Sequence, residues 1–181
     1  MSLPNLSLPQ HLAADDFELF RLPRGFQLDL GELTMRWKQM QQLAHPDRFA
    51  DQSSQSQRLA TQWSVRINEA YQRLKHPVLR AAYLCELAGH PIGAENNTQM
   101  PADFLMQQME WRESLEAAGD AQAVEALREV LNTARRAEYA TCENAIDKKQ
   151  DWSVAVNSVR RLLFMQRFEA DMDRRIEQLE E

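Results

Sequence analysis

The side chains in this sequence best suited to chemistry are few: four histidines and two cysteines among 181 residues. His45 is followed, across one proline, by Asp47. An imidazole beside a carboxylate can in principle exchange protons with a bound substrate. That reaction needs partners, and no nucleophile, phosphate-binding loop or carboxylate dyad accompanies the pair. His76 and His90 also precede proline, so a His-Pro step is by itself a weak signal. No two histidines stand four residues apart, and Cys85 and Cys142 form no Cys-x-x-Cys pair. Neither a zinc site nor a disulfide framework is indicated. The expectation is a chain with no metal, no cofactor, two buried thiols and no catalytic residues.

Recognition is the other chemistry open to His45-Pro46-Asp47. Proline fixes its own φ, offers no backbone donor and pushes the residue before it toward an extended conformation, so the turn displays its side chains. Arg36 and Lys38 precede it on a helix and are expected to reach solvent, and Arg48 follows it. Together they make a small mixed-charge surface that can dock an acidic partner and present one carboxylate to an arginine. A polar loop with an incidental proline fits the tripeptide equally well.

The elements that hold this turn are helices. Ala, Leu, Gln, Glu and Arg abound, whereas glycine (5) and proline (7) are sparse, which predicts an all-α class. A net charge of -6 argues against a general nucleic-acid binder. No signal-peptide pattern or bilayer-length apolar run is present, so a soluble, cytoplasmic protein is expected.

Residues 1–14 read as a loose tail. Phe17, Leu19 and Phe20 then form a short apolar cluster ended by Pro23. Asp29 is the expected N-cap of a helix whose core stripe is Leu33, Trp37, Met40 and Ala44. The polar stretch 50–57 predicts a loop. The next stripe is Leu59, Trp63, Ile67, Ala70 and Leu74, and the two helices should lie antiparallel with Trp37 and Trp63 buried between them. A helix over 77–87 starts with proline and stops at Gly89.

Glycine, proline and asparagine concentrate over 88–100, which places a first domain at 15–88, a linker at 89–100 and a second domain at 101–181. The second domain reads as an antiparallel three-helix bundle over about 101–118, 121–148 and 152–181, the last capped by Asp151. Its stripes are Val124, Leu127, Leu131, Ala134 and Ala145 on the middle helix and Trp152, Val156, Val159 and Leu163 on the last. The first bundle helix has two apolar faces. Phe104, Gln108, Trp111 and Leu115 share one sector, whereas Leu105, Met106 and Met109 lie elsewhere with Glu110 and Glu113, and Phe164 lies off its own stripe. A wide bundle core absorbs such residues; an adaptable partner-binding patch displays them.

These residues resemble a known family. His45-Pro46-Asp47 between two helices, with Ile67-Asn68-Glu69-Ala70-Tyr71 and Leu74 after it, is similar to the signature of J-domain co-chaperones. Asp16-Phe17, Leu22-Pro23, Phe26-Gln27-Leu28-Asp29, His76-Pro77 and Arg80-Ala81-Ala82-Tyr83-Leu84 narrow the resemblance to the HscB-type J-domain co-chaperones of iron–sulfur cluster assembly. Phe104-Leu105-Met106 and Arg161-Leu162-Leu163-Phe164 extend it through the bundle, over roughly residues 16 to 180. The resemblance implies an N-terminal J domain that activates the ATPase of a DnaK-type, HscA-like chaperone through His45, Pro46 and Asp47, with Arg36, Lys38 and Arg48 steering. It also implies a C-terminal bundle that holds an IscU-like iron–sulfur scaffold protein through Leu105, Met106, Met109, Glu110, Glu113 and Phe164. J domains often have a basic residue where Gln42 stands and a tyrosine where Ala44 stands, which implies a weaker positive surface here. A helical adaptor without a chaperone partner is the alternative from another class.

Overall fold

The computed structural model describes residues 14–49, 53–93 and 100–180. The tail expected at 1–14 falls almost wholly outside these, as does the middle of the expected linker. The chain divides into two compact units, Met1–Arg80 and Ala81–Glu181. The division falls inside the helix at 77–87, ahead of the glycine- and asparagine-rich stretch that composition marks.

In the first unit, α1 is Asp16–Phe20. The Asp15 carboxylate accepts from the Phe17 and Glu18 amides at 2.8 and 2.9 Å, while the Glu18 side chain reaches back to the Asp15 amide. This reciprocal cap satisfies three donors that a helix start leaves open. A helix this short is marginal alone. Burial of Phe17, Leu19 and Phe20 against α2 (Leu30–Ala44) and α3 (Ser54–Lys75) holds it, each side chain contributing about 1.5–3 kcal/mol. Asp16 is buried with them, its two oxygens met by Arg66 at 2.6 Å and Arg73 at 3.1 Å.

Asp29 caps α2 as expected, accepting from the Gly31 and Glu32 amides at 2.8 and 3.0 Å. The expected loop over 50–57 is shorter than composition suggested. Ser53 accepts from the Ser56 amide, and α3 begins at Ser54, because a serine that reads as loop is also a good N-cap. Thr34 meets Tyr71, Trp37 donates to Asn68 at 3.0 Å, and Gln41 donates to the Ser64 carbonyl at 3.4 Å. Partners descend along α3 as α2 advances, so the pair is antiparallel. Leu33, Met40, Ala44, Trp63, Ile67, Ala70 and Leu74 are buried.

Two expectations for this hairpin need correction. Trp37 is only half-buried, lying against Tyr71 with ring centroids 4.7 Å apart. Leu59 is exposed and Ala60 takes its place in the core. The buried seam of α3 runs through Ala60, Trp63, Ile67, Ala70 and Leu74, and Leu59 lies one residue off it.

The helix α4, Pro77–Leu87, follows α3 directly, with proline at its first position where the missing donor costs nothing. The Gly89 amide donates to the Glu86 carbonyl and the His90 amide to that of Cys85, with Gly89 at φ +82. That is the Schellman termination expected of the glycine.

The second unit contains α5 (Ala102–Ala117), α6 (Ala121–Glu143) and α7 (Trp152–Glu180). A wider π-helical turn, Asn144–Lys149, continues α6 to the expected end. Arg128 reaches Asp173 at 2.8 Å, Arg135 reaches Glu169 at 2.7 Å and Glu138 meets Arg161 at 2.9 Å, so α6 and α7 run antiparallel. Phe104 meets Phe164, Trp111 meets Phe168, and the Ala118 carbonyl accepts from Arg175, so α5 runs alongside α7 in the same direction. The all-α class and the bundle are as expected. Asp151 accepts from the Val154 amide at 3.1 Å and caps α7.

The α7 core stripe differs from expectation. Ala155, Ser158, Val159, Leu162, Met165, Phe168 and Met172 are buried, whereas Trp152, Val156 and Leu163 are half-buried. A helix seated between two neighbours buries the seam that faces both, and that seam is rotated by about one residue from the most apolar stripe. On α6, Val124, Leu131 and Ala145 are buried, but Leu127 and Ala134 only partly so.

Candidate functional site

The turn after α2 is built by proline and closed by its neighbours. Ala44 ends the helix, and His45 is extended at φ -61, ψ 125, as the residue before proline should be. Pro46–Phe49 then forms one turn of 3₁₀ helix, in which the Arg48 amide donates to the His45 carbonyl at 3.1 Å. The Asp47 amide donates to His45 Nδ1 at 3.3 Å. An Nδ1 that accepts carries no proton, so the 3.6 Å approach of Asp47 Oδ2 becomes an ion pair only in the imidazolium form. The Asp47 side chain is 89% exposed. A carboxylate so exposed has the chemistry to accept a guanidinium.

The expected basic surroundings are only partly there. Lys38 is exposed. Arg48 is exposed too, although its Nη1 donates to the Gln42 carbonyl at 3.1 Å and so lies over the C-terminal end of α2. Arg36 does not reach solvent as expected. Its side chain is 16% exposed, its guanidinium donates to the Phe20 carbonyl at 2.6 Å and to the Arg21 carbonyl, and it pairs with Glu32. This arginine clamps the end of α1 onto α2, where α1 stops with Arg21 in a left-handed conformation and leaves carbonyls unpaired.

The second surface lies on α5. Phe104, Gln108, Trp111 and Leu115 are buried, the sector expected to face the core. Met106 and Met109 are 64% and 61% exposed, Leu105 is less so, and Glu110 and Glu113 are exposed beside them. The bundle does not absorb the extra apolar face. Phe164 is different: it is half-buried, edge-on to Phe104 at 5.6 Å and stacked near Trp111 and Phe168 at 6.2 and 5.8 Å. Arg112, two turns beyond Leu105 on the same flank of α5, covers its ring at 5.9 Å.

A curated co-chaperone protein HscB homolog from Ralstonia nicotianae is 44% identical over 168 residues, spanning 91% of this chain and 96% of that protein. The chain belongs to the HscB co-chaperone family. The HscB homolog of Burkholderia thailandensis is 46% identical over 167 residues, covering 91% of this chain and 95% of that one. Residues 100–173 match the family model described as the HSCB C-terminal oligomerisation domain. Among solved structures, the chaperone HscB from Vibrio cholerae aligns with a TM-score of 0.85 at 36% identity, covering 91% of this chain and 99% of that one. The human co-chaperone protein HscB gives 0.85 at 25% identity, with 89% and 81% covered.

As a member of the HscB co-chaperone family, the protein works with chaperone partners. Among the described residues no helix is long and apolar enough to cross a membrane, and no cluster of three metal-binding side chains occurs.

Proposed function

We propose that this co-chaperone stimulates the ATPase of an HscA-like, DnaK-type chaperone and delivers to it an IscU-like iron–sulfur scaffold protein, in the cytoplasm, during cluster assembly and transfer. The observation that carries the reading is the pairing of two unlike docking surfaces in a member of this family. One is the exposed Asp47 carboxylate on its 3₁₀ turn. The other is the exposed Leu105, Met106 and Met109 face edged by Glu110 and Glu113.

The first surface suits an arginine of the chaperone, approached under the attraction of Lys38 and Arg48 for acidic ground around it. The second suits an apolar patch of the scaffold rimmed by basic groups, since thioether side chains repack easily against a partner. Holding both partners raises the effective concentration of scaffold at the chaperone. The chain moves no bond itself. Its J domain is assigned to 15–88, its linker to 89–100 and its scaffold-binding bundle to 101–181.

The test is the steady-state ATPase rate of the HscA-like chaperone with scaffold present. Asp47→Ala is expected to abolish stimulation while the thermal unfolding curve stays in place, because among the described residues the carboxylate meets only His45. Wild-type stimulation by the variant would overturn the assignment.

A further inference from the structure

The ring of Phe164 lines a cleft that mixes guanidinium groups with apolar walls. Arg112 lies over that ring and is itself exposed, bordering the Leu105 and Met109 flank. The cleft, about 500 Å³, has Phe164 and Phe168 in its wall and Arg112, Arg160, Arg167 and Arg174 around it, with Asp171 as the acidic group among its lining residues. Four guanidinium groups against one carboxylate is an unusual local balance in a chain of net charge -6. Arg174 is paired with Asp171, and Arg160 donates to the Ile92 carbonyl at 2.9 Å. Arg112 and Arg167 have no carboxylate within ion-pair distance among the described residues.

We infer that this cleft receives an acidic segment of the docked scaffold protein, its carboxylate taken by Arg112 and Arg167 and its neighbouring apolar side chain set against Phe164 and Phe168. Planar guanidinium groups match a carboxylate bidentately, and aromatic walls exclude the water that would screen the pair. Peptide is favoured over nucleic acid because Ile92, Met100, Leu163 and Phe164 line the cleft beside the arginines, a mixture that suits an acidic side chain next to an apolar one rather than a run of phosphates. The partner's footprint then has two signs: basic where it meets Glu110 and Glu113, acidic where it enters the cleft.

The inference rests on reading Leu105, Met106 and Met109 as the scaffold-docking face, and the experiment separates the two. Calorimetry of the full-length protein with the purified iron–sulfur scaffold is run at about 0.05 and 0.3 M salt. Arg167→Ala and Arg112→Gln are each expected to weaken binding roughly threefold to tenfold at low salt and to flatten the salt dependence. Arg112→Lys, which keeps the charge over Phe164, is expected to recover part of the loss. Both arginines are exposed, so these variants fold. If the arginine variants bind as wild type while Leu105→Ala with Met106→Ala binds weakly, the cleft inference fails and the docking face stands. If neither set changes affinity, both fail. Arginine-dependent retention of a single-stranded oligonucleotide, with scaffold affinity unchanged, would assign the cleft to nucleic acid and overturn the inference.

Discussion

Two aspartates of the first unit show how context sets a residue's work. Asp47 is held out on a turn, and its replacement should leave the fold intact. Asp16 is buried between Arg66 and Arg73, and its replacement should not. Asp16→Ala removes the shared acceptor of two partly exposed guanidinium groups that can turn toward water, so the loss falls below the ~3–5 kcal/mol of a fully buried pair. Chemical denaturation is expected to show that loss, and an unchanged midpoint would refute it. Arg36→Ala belongs with Asp16 rather than with Lys38, since it uncaps the end of α1; Lys38→Ala should change only the rate of chaperone docking.

Cys85 offers a pH readout at the same scale. Burial pushes its thiol up to about 11 from an ordinary 9.0. The folded state therefore holds the proton where the unfolded chain has released it. The resulting stability is fully present below about pH 9 and is lost as pH rises through about 11. Cys85→Ala should flatten the fall in unfolding free energy between those limits. Iodoacetamide at pH 8 should label the native thiol only as fast as the protein opens.

At the scale of elements, the helix ends are where local sequence and structure agree most closely. Asp15, Asp29, Ser53, Asp120 and Asp151 each accept an amide of the first turn they precede. Burial opposes ionisation of Asp15, but the Glu18 amide, the Arg24 guanidinium and the Phe17 amide outweigh it and hold the carboxyl below its ordinary value. Its contribution is present above the unfolded carboxyl range and is lost as pH falls through the lower folded value, so Asp15→Asn should reduce the acid sensitivity of the first unit. Gly89→Ala tests the other kind of helix end. Open space surrounds the site, so only the backbone term at φ +82 acts, about 1–2 kcal/mol. A melting temperature unchanged by that substitution would remove the Schellman termination from the account.

For the molecule as a whole, the proposed contacts lie in different compact units, Asp47 in one and the α5 face in the other. Exposed side chains of either unit should be separable by mutation. Replacing Leu105, Met106 and Met109 by Ala should weaken scaffold binding in calorimetry while leaving scaffold-independent stimulation of the chaperone intact. Phe164 is a poor probe of the same surface. It packs among Phe104, Trp111 and Phe168, and each aromatic pair contributes about 0.5–1.5 kcal/mol beyond area burial, so Phe164→Ala should loosen the bundle as well as the contact.

What the sequence determined by itself was local or repetitive: the all-α class, the caps at Asp29 and Asp151, the stop at Gly89, the His45-Pro46-Asp47 turn and the two faces of α5. Each follows from forces acting within a few residues, or from a period that survives without knowledge of neighbours. Tertiary structure decided how shared or charged side chains were allotted. Arg36 faced inward because α1 ended with open carbonyls beside it. Leu59 faced outward because the seam of α3 against its neighbours fell on Ala60, Trp63 and Ile67. The α7 seam turned by about one residue because two helices, not one, lay against it. Phe164 joined the core from one side and met Arg112 on the other, since a ring at the seam of two helices has both an inner and an outer face. Periodicity reports which side of a helix is apolar; only the neighbouring helices determine how much of that side they cover.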